Sequence, residues 1–336
     1  MGAVVVYGAT GHTGRFVVEE LLRGGVATVA SGRDAGALET LAAKWGDVGV
    51  RPAAVDNARA LDAAVVGADV VVNCAGPFAV TGGPLVDAAV RAGIPYVDVA
   101  AEIEANVATF ANHRAARTPV VPAMAFYGGL GDLLVTAALG ERSAADAVHV
   151  AYGLSSWHPT PGTRAAGQVS HDRRGGRRLR FTNGALQFHD DKPVVEDWVF
   201  PEPLGRRRVI TEFTMADVVT VPSHLDVPEV RTDMTVEAAQ DLLGEDTPPP
   251  VPVDTLGRSD QTFVLDAVIR IGNKELRASA SGQDIYAITA PLAVGAVRRI
   301  LAGETRSSGL ASAGAMFDAR EFLATLAPYL KVELPD

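Results

Sequence analysis

The sequence predicts an α/β protein: a doubly wound parallel sheet with an inserted α+β domain of mainly antiparallel sheet. Three observations carry this. The chain opens on an apolar run, Val4-Val5-Val6-Tyr7, which ends in Gly8, Gly11 and Gly14 and passes into helical spacing at Phe16, Val17, Val18, Leu21 and Leu22. From there to about residue 124, short strand-like and longer helix-like stretches alternate, as they do when helices cross over between parallel strands. Beyond residue 139, short strand-like runs follow one another with few helices between them, as in an antiparallel sheet.

Taken in order, strands are expected at 27–32, 50–55, 69–74, 96–100 and 119–124, with helices at 35–44, 58–65, 84–91 and 102–117. In the last of these, Ile103, Val107 and Phe110 fall at helical spacing and turn an apolar stripe to the sheet. The second part offers strand-like runs at 148–154, 179–189, 208–213, 218–221 and 229–236, then a helix at 237–243. Thr247-Pro248-Pro249-Pro250-Val251-Pro252 reads as a stiff, extended connector. Phe263, Leu265, Ala267, Ile269 and Ile271 alternate strictly. Gly272-Asn273 then turns the chain into Leu276, Ala278 and Ala280, with Arg277 and Ser279 on the opposite face. Helices at 291–301 and 319–327 close the chain. The expected division is 1–139, 140–284 and 285–336, the last part returning to the first domain.

Composition narrows the function. The 336 residues are 48% hydrophobic and 21% charged, ordinary for a globular chain of about two domains. Thirty basic against forty acidic residues leave a formal charge of −10, which disfavours nucleic acid as a partner. A single cysteine, Cys74, excludes an internal disulfide and a cysteine-based zinc cluster. The seven histidines form no His-x-x-x-His pair, so no metal is expected. No apolar run approaches the ~18 residues of a membrane span. The first strand starts beside the initiator methionine, so no leader is expected, and Val6 breaks the myristoylation pattern. A cytoplasmic protein is the expectation.

The glycines between the first strand and the first helix have the spacing of a dinucleotide fingerprint, which makes the first domain a Rossmann fold. Gly8 permits the tight turn, Gly11 a close approach to a pyrophosphate, and Gly14 close packing of helix on strand. Thr10, His12 and Thr13 stand at the helix N-terminus, which offers free N–H groups and a positive dipole end. The second strand ends in Ser31-Gly32-Arg33-Asp34. An NAD site wants a carboxylate there for the ribose; Arg33, with Ser31 beside it, instead suits the 2′-phosphate of NADP, while Asp34 caps the next helix. Asp56 either accepts from the adenine amine or caps a helix. In Asn73-Cys74-Ala75-Gly76-Pro77-Phe78, small residues let backbone pass close to ribose and nicotinamide, Pro77 fixes the turn, and Phe78 either walls the nicotinamide or joins the core. Cys74 itself reads as a small buried residue.

Candidate catalytic groups are fewer. Tyr127, Asp98 and Glu102 fall at the carboxyl ends of the parallel strands, where ligands bind in such sheets. Tyr127, between Phe126 and Gly128-Gly129, is the first candidate proton donor, with a water held by Asp98 as its alternative. His171, and after it His158, are candidates from the second domain. No tyrosine has a lysine four residues on, so the short-chain dehydrogenase signature is absent. Arg173, Arg174, Arg177, Arg178 and Arg180 crowd around Gly175-Gly176, and Arg206-Arg207-Arg208 repeats the theme. Such a basic loop is either a solvated hairpin or a receptor for a carboxylate, a phosphopantetheine arm or an acidic carrier protein.

Together, Gly8-Ala9-Thr10-Gly11-His12-Thr13-Gly14, Ser31-Gly32-Arg33, Asn73 to Phe78, and Tyr96-Val97-Asp98 with Glu102 resemble the saccharopine dehydrogenase/reductase-like family. The resemblance covers about the first 130 residues and returns weakly over 282–326, including Tyr286 and Phe317-Asp318. The chain is also similar to trans-acting enoyl reductases of polyketide assembly. The resemblance implies an NADP-binding Rossmann domain built from both chain ends around an inserted domain that carries substrate specificity and dimerisation. The family's Gly-Phe-Asp-x-x-Pro-like turn is here Ala125 to Asp132, with the acid displaced and the proline missing. The expected function is an NADPH-dependent oxidoreductase reducing a C=N bond, or a related C=C or C=O bond, of a small metabolite. The alternative is a non-catalytic NADP-binding sensor or scaffold. A homodimer through the second domain is expected, with a carrier-bound substrate as a further possibility.

Overall fold

The central strand of the first sheet is buried on both faces. The structure, a computed structural model, describes residues 2–335. Strands β1 (Ala3–Tyr7), β2 (Thr28–Gly32), β3 (Val48–Pro52), β4 (Ala68–Asn73), β5 (Tyr96–Asp98) and β6 (Val120–Val121) are all parallel, in the order β3-β2-β1-β4-β5-β6. Val4 and Val6 pack with Val17, Val18 and Leu21 on one side, whereas Val5 and Tyr7 pack with Leu61, Val65 and Leu85 on the other. Helices therefore cover both faces, which is why β1 reads as an unbroken apolar run. They are α1 (His12–Arg23), α2 (Ala35–Trp45), α3 (Ala58–Val65), α4 (Phe78–Ala92) and α5 (Ile103–Asn112). The strand order reverses at β1, placing a ligand crevice at its carboxyl end.

Helix α4 begins six residues before the expected 84. Gly82-Gly83-Pro84 lowers its local helix propensity, but the Glu102 carboxylate accepts from the N–H groups of Phe78 and Ala79 at 2.8 and 2.9 Å. A cap supplied from the neighbouring loop overrides the local signal.

A π-type turn at Phe126–Leu130 leads into α6 (Gly131–Leu139), which is buried on nearly every side between the two halves of the molecule. The second sheet starts with β7 (Ala147–Leu154), followed by α7 (Pro161–Arg173), β8 (Arg178–Thr182), β9 (Ala185–His189), β10 (Val195–Val199) and β11 (Arg206–Ile210). Helix α8 (Asp217–Thr220), β12 (Val230–Thr235), α9 (Val236–Leu243), β13 (Thr262–Ile271) and β14 (Lys274–Gln283) come next. The chain ends with α10 (Thr289–Ala302), α11 (Ala313–Met316), α12 (Ala319–Thr325) and β15 (Leu330–Glu333). The strand order is β10-β11-β12-β7-β13-β14-β15, with the β8–β9 hairpin attached to β12. Only β12 and β7 run parallel among these pairs.

Several elements depart from the expectations, strand β10 among them, since it falls outside every expected run. Residues 218–221, expected as a strand, form α8 and enter a 3-10 turn, because Asp217, Val218 and Val219 bury themselves beside the π-type turn. Residues 161–173 form α7, a helix that buries only Ser170 and so has no apolar stripe to announce it. The last strand, β15, pairs with β14 in the second sheet, while α10 packs against α1 and strands β4 and β5 of the first.

Candidate cofactor and active-site cleft

A cleft of about 1550 Å³ runs from the carboxyl end of β1 to the second sheet. At its floor, Gly8 has φ +83°, and a Cβ there would lie 2.7 Å from the Ala75 nitrogen. At Gly14 a Cβ would come within 2.1 Å of the Gly8 carbonyl oxygen. No side chain caps α1, so its first N–H groups stay open towards the cleft. Thr10, Gly11, His12 and Thr13 line the cleft here. The ring of His12 stands edge-on to Phe16 and Tyr286, with its Nε2 unpartnered. Burial lowers the pKa of His12, against Asp284, which raises it.

The cleft wall beyond β2 carries Arg33, exposed and without a carboxylate partner among the described residues. Asp34 accepts from the Ala37 N–H at 3.0 Å and caps α2. Ser31 stands away from the cleft: it is wholly buried, and its hydroxyl donates to the Arg51 carbonyl at 2.7 Å. Its own carbonyl accepts the Gly8 N–H at 2.8 Å, so it steadies the glycine turn from behind. Asp56 is exposed and lines the cleft, and the cap of α3 is its neighbour Asn57. Cys74, Ala75, Gly76, Pro77 and Phe78 line the middle of the cleft. Burial pushes the Cys74 thiol pKa up, with Asp98 adding to it, so the group is held as an unreactive thiol.

Asp98 is also remote from the opening. It is 2% exposed and accepts from the Tyr96 hydroxyl and the N–H groups of Ala100 and Ala123, at 2.9, 3.0 and 2.8 Å. Asn73 donates to Tyr96, completing a buried lattice that ties β4, β5 and the loop after β6 together. A carboxylate with its oxygens so occupied holds the strand ends, not a reacting water. Glu102 lines the cleft but is the α4 cap, its pKa raised by burial against those two hydrogen bonds.

Tyr127 does line the cleft, 6% exposed, with its hydroxyl unpartnered. The glycines beside it serve the turn: Gly128 has φ +97°, and a Cβ on Gly129 would lie 2.7 Å from the Ala123 oxygen. The ring is not free to swing, being packed against Phe126, Tyr152 and Trp157 at centroid distances of 4.8, 4.9 and 5.1 Å. Burial, then Tyr286 and Asp217, raise its pKa well above the ordinary phenol value. It therefore keeps its proton, and the unpartnered hydroxyl is free to donate a hydrogen bond. Behind it, Tyr152 donates to Asp217 at 2.6 Å.

Sequence reasoning missed the roof of the site. Helix α7 lies across α4 and α5, its Arg174 paired with Glu104 at 3.1 Å and its Arg173 donating to the Ala79 carbonyl at 2.9 Å. The Tyr286 hydroxyl holds the near end, receiving Trp157 Nε1–H at 3.1 Å and the Thr160 N–H at 3.3 Å. His171 lies at the far end of α7, on the cleft's rim. The signal for α7 was Thr160-Pro161, a capping residue followed by proline in the first turn.

The fold and cleft define an NADP-binding Rossmann domain joined to a second, mixed sheet. Residues 4–121 match the family model for the saccharopine dehydrogenase NADP binding domain. A saccharopine dehydrogenase-like oxidoreductase of Mus musculus is 34% identical over 117 residues, covering 30% of this chain and 27% of the relative; its Homo sapiens counterpart is 33% identical over the same shares. The match thus spans about a quarter of those relatives' length. The apo saccharopine dehydrogenase (L-Glu forming) of Saccharomyces cerevisiae shares the fold across 99% of each chain, at a TM-score of 0.68 and 11% identity. No helix among the described residues is long and apolar enough to cross a membrane, and no group of three or more metal-ligating side chains is found among them.

Proposed function

We propose that the protein is an NADPH-dependent oxidoreductase that reduces a C=N bond, or a related C=C or C=O bond, of a small metabolite. The observation that carries this reading is the single cleft, in which the NADP cradle of the first domain continues to a buried, unpartnered tyrosine hydroxyl beneath the second sheet. Bound NADPH supplies the hydride. The chain's own residues do the rest. The α1 N-terminus and Arg33 hold the phosphates, and Phe78 and Pro77 shape the wall where the ring would lie. Tyr127 donates a hydrogen bond to the nitrogen or oxygen on which charge develops, in a water-poor site where such a donor is worth most. His171 at the rim is the second candidate for delivering the proton.

The test is direct. NADPH binding is followed by its fluorescence, and its oxidation by absorbance with a panel of imines, enals and ketones. Turnover of any one class supports the reading; stoichiometric binding with no turnover across the panel supports a non-catalytic NADP-binding protein instead.

A further inference from the structure

The wall facing the cofactor cradle has a chemistry of its own. Trp157, Leu179, Ile210, Phe213, Met215 and Leu242 line it, and at about 1550 Å³ the cleft exceeds the ~300–1,000 Å³ of a pocket for one small ligand. Four arginines reach the cleft: Arg33, Arg174, Arg177 and Arg178. Arg33 belongs to the cradle. Arg174 is engaged by Glu104 at 3.1 Å. Arg178 spends its guanidinium on the carbonyls of Asp191, Thr211 and Glu212, at 3.2, 2.7 and 3.0 Å.

Outside the cradle, where Arg33 is likewise unpaired, only Arg177 among these arginines has no carboxylate or carbonyl partner for its side chain among the described residues. It sits on the exposed rim, 4.3 Å over the ring of Phe188, which is itself 49% exposed. Three carboxylates also line the cleft, Asp56 at the cradle and Glu102 and Glu212 beyond it, and the latter two repel a second anion.

We infer, on the oxidoreductase reading, that the substrate is an elongated apolar molecule with a single anionic group. Its body lies along the Trp157–Phe213–Met215 wall and its anion meets Arg177. A substrate with two or more carboxylates does not fit, because its second charge would enter an apolar wall with no free cation, a costly burial.

The experiment measures binding by calorimetry, with and without NADP⁺, using hexanoate, octanoate, decanoate, decanedioate and decanol. Affinity is expected to rise by up to about fourfold per added methylene, the limit for full burial, and decanedioate to bind more weakly than decanoate. Arg177→Ala should weaken decanoate about tenfold or more, the worth of a charged hydrogen bond, and leave decanol unchanged. A flat chain-length series, an equal or tighter decanedioate, or an Arg177→Ala variant with unaltered decanoate binding overturns the inference. The series is readable in either cofactor state, so a protein that fails to bind NADP⁺ overturns the cofactor reading alone.

Discussion

Replacing Asp217 by asparagine should stabilise the protein above neutral pH and leave it nearly unchanged in acid. The carboxyl is fully buried: one oxygen accepts from Tyr152 at 2.6 Å and the other has no partner. Burial raises its pKa from 3.8 to about 7, opposed by the Tyr152 hydrogen bond and reinforced by nearby Asp132. Because the folded pKa lies above the unfolded one, the native state holds this proton more tightly. The resulting stability is fully present below about pH 4, is lost as pH rises through about 7, and changes no further above that. A shift of this size corresponds to ~4 kcal/mol at most. Asparagine keeps the acceptor for Tyr152 and the volume of the side chain but never ionises. Urea unfolding of both proteins at about pH 4 and about pH 8 isolates the group, since Asp233, also raised, to about 6, is common to both. A variant several kcal/mol more stable at the higher pH and about equal at the lower one agrees with the reasoning. Parallel curves for the two proteins refute it.

Other perturbations have equally definite outcomes. Tyr127→Phe keeps the packing against Trp157 and Tyr152 and removes one donor, so kcat should fall ~10²–10³-fold with NADPH affinity intact; steady-state kinetics on any substrate found in the panel checks it. Gly14→Val should abolish NADPH binding, because its Cβ would lie 2.1 Å from the Gly8 oxygen and force the turn open; fluorescence titration reads this. Light scattering at micromolar concentration should give a homodimer through the second sheet, whose edge strand β10 exposes Val195 and Val199 beside Val194; a monomer counts against it.

The first domain was legible because its signals are local. A two-faced apolar strand, glycines at fixed offsets and the cap Asp34 each act within a few residues, although the cap of α3 is Asn57, one residue past the Asp56 that the sequence offered. What could not be read depends on contacts between distant parts of the chain. Glu102 caps a helix 24 positions away, and Asp98 is spent on Ala123, 25 positions on. Tyr286 meets Trp157 and Thr160 across more than a hundred residues. Helix α7 escaped because it buries one face only against polar partners, so periodicity had nothing to detect. At Ser31 the strand-end position was right, but alternation turned its side chain inward to Arg51 and left Arg33 alone at the cleft.

The central claim is that this cleft holds NADP by Arg33. Paired titrations of the wild-type and Arg33→Ala proteins with NADPH and NADH test it most directly. Loss of a charged hydrogen bond to the 2′-phosphate should weaken NADPH by about 1.5–3 kcal/mol and leave NADH nearly unchanged. Equal weakening of both cofactors, or of neither, contradicts the account.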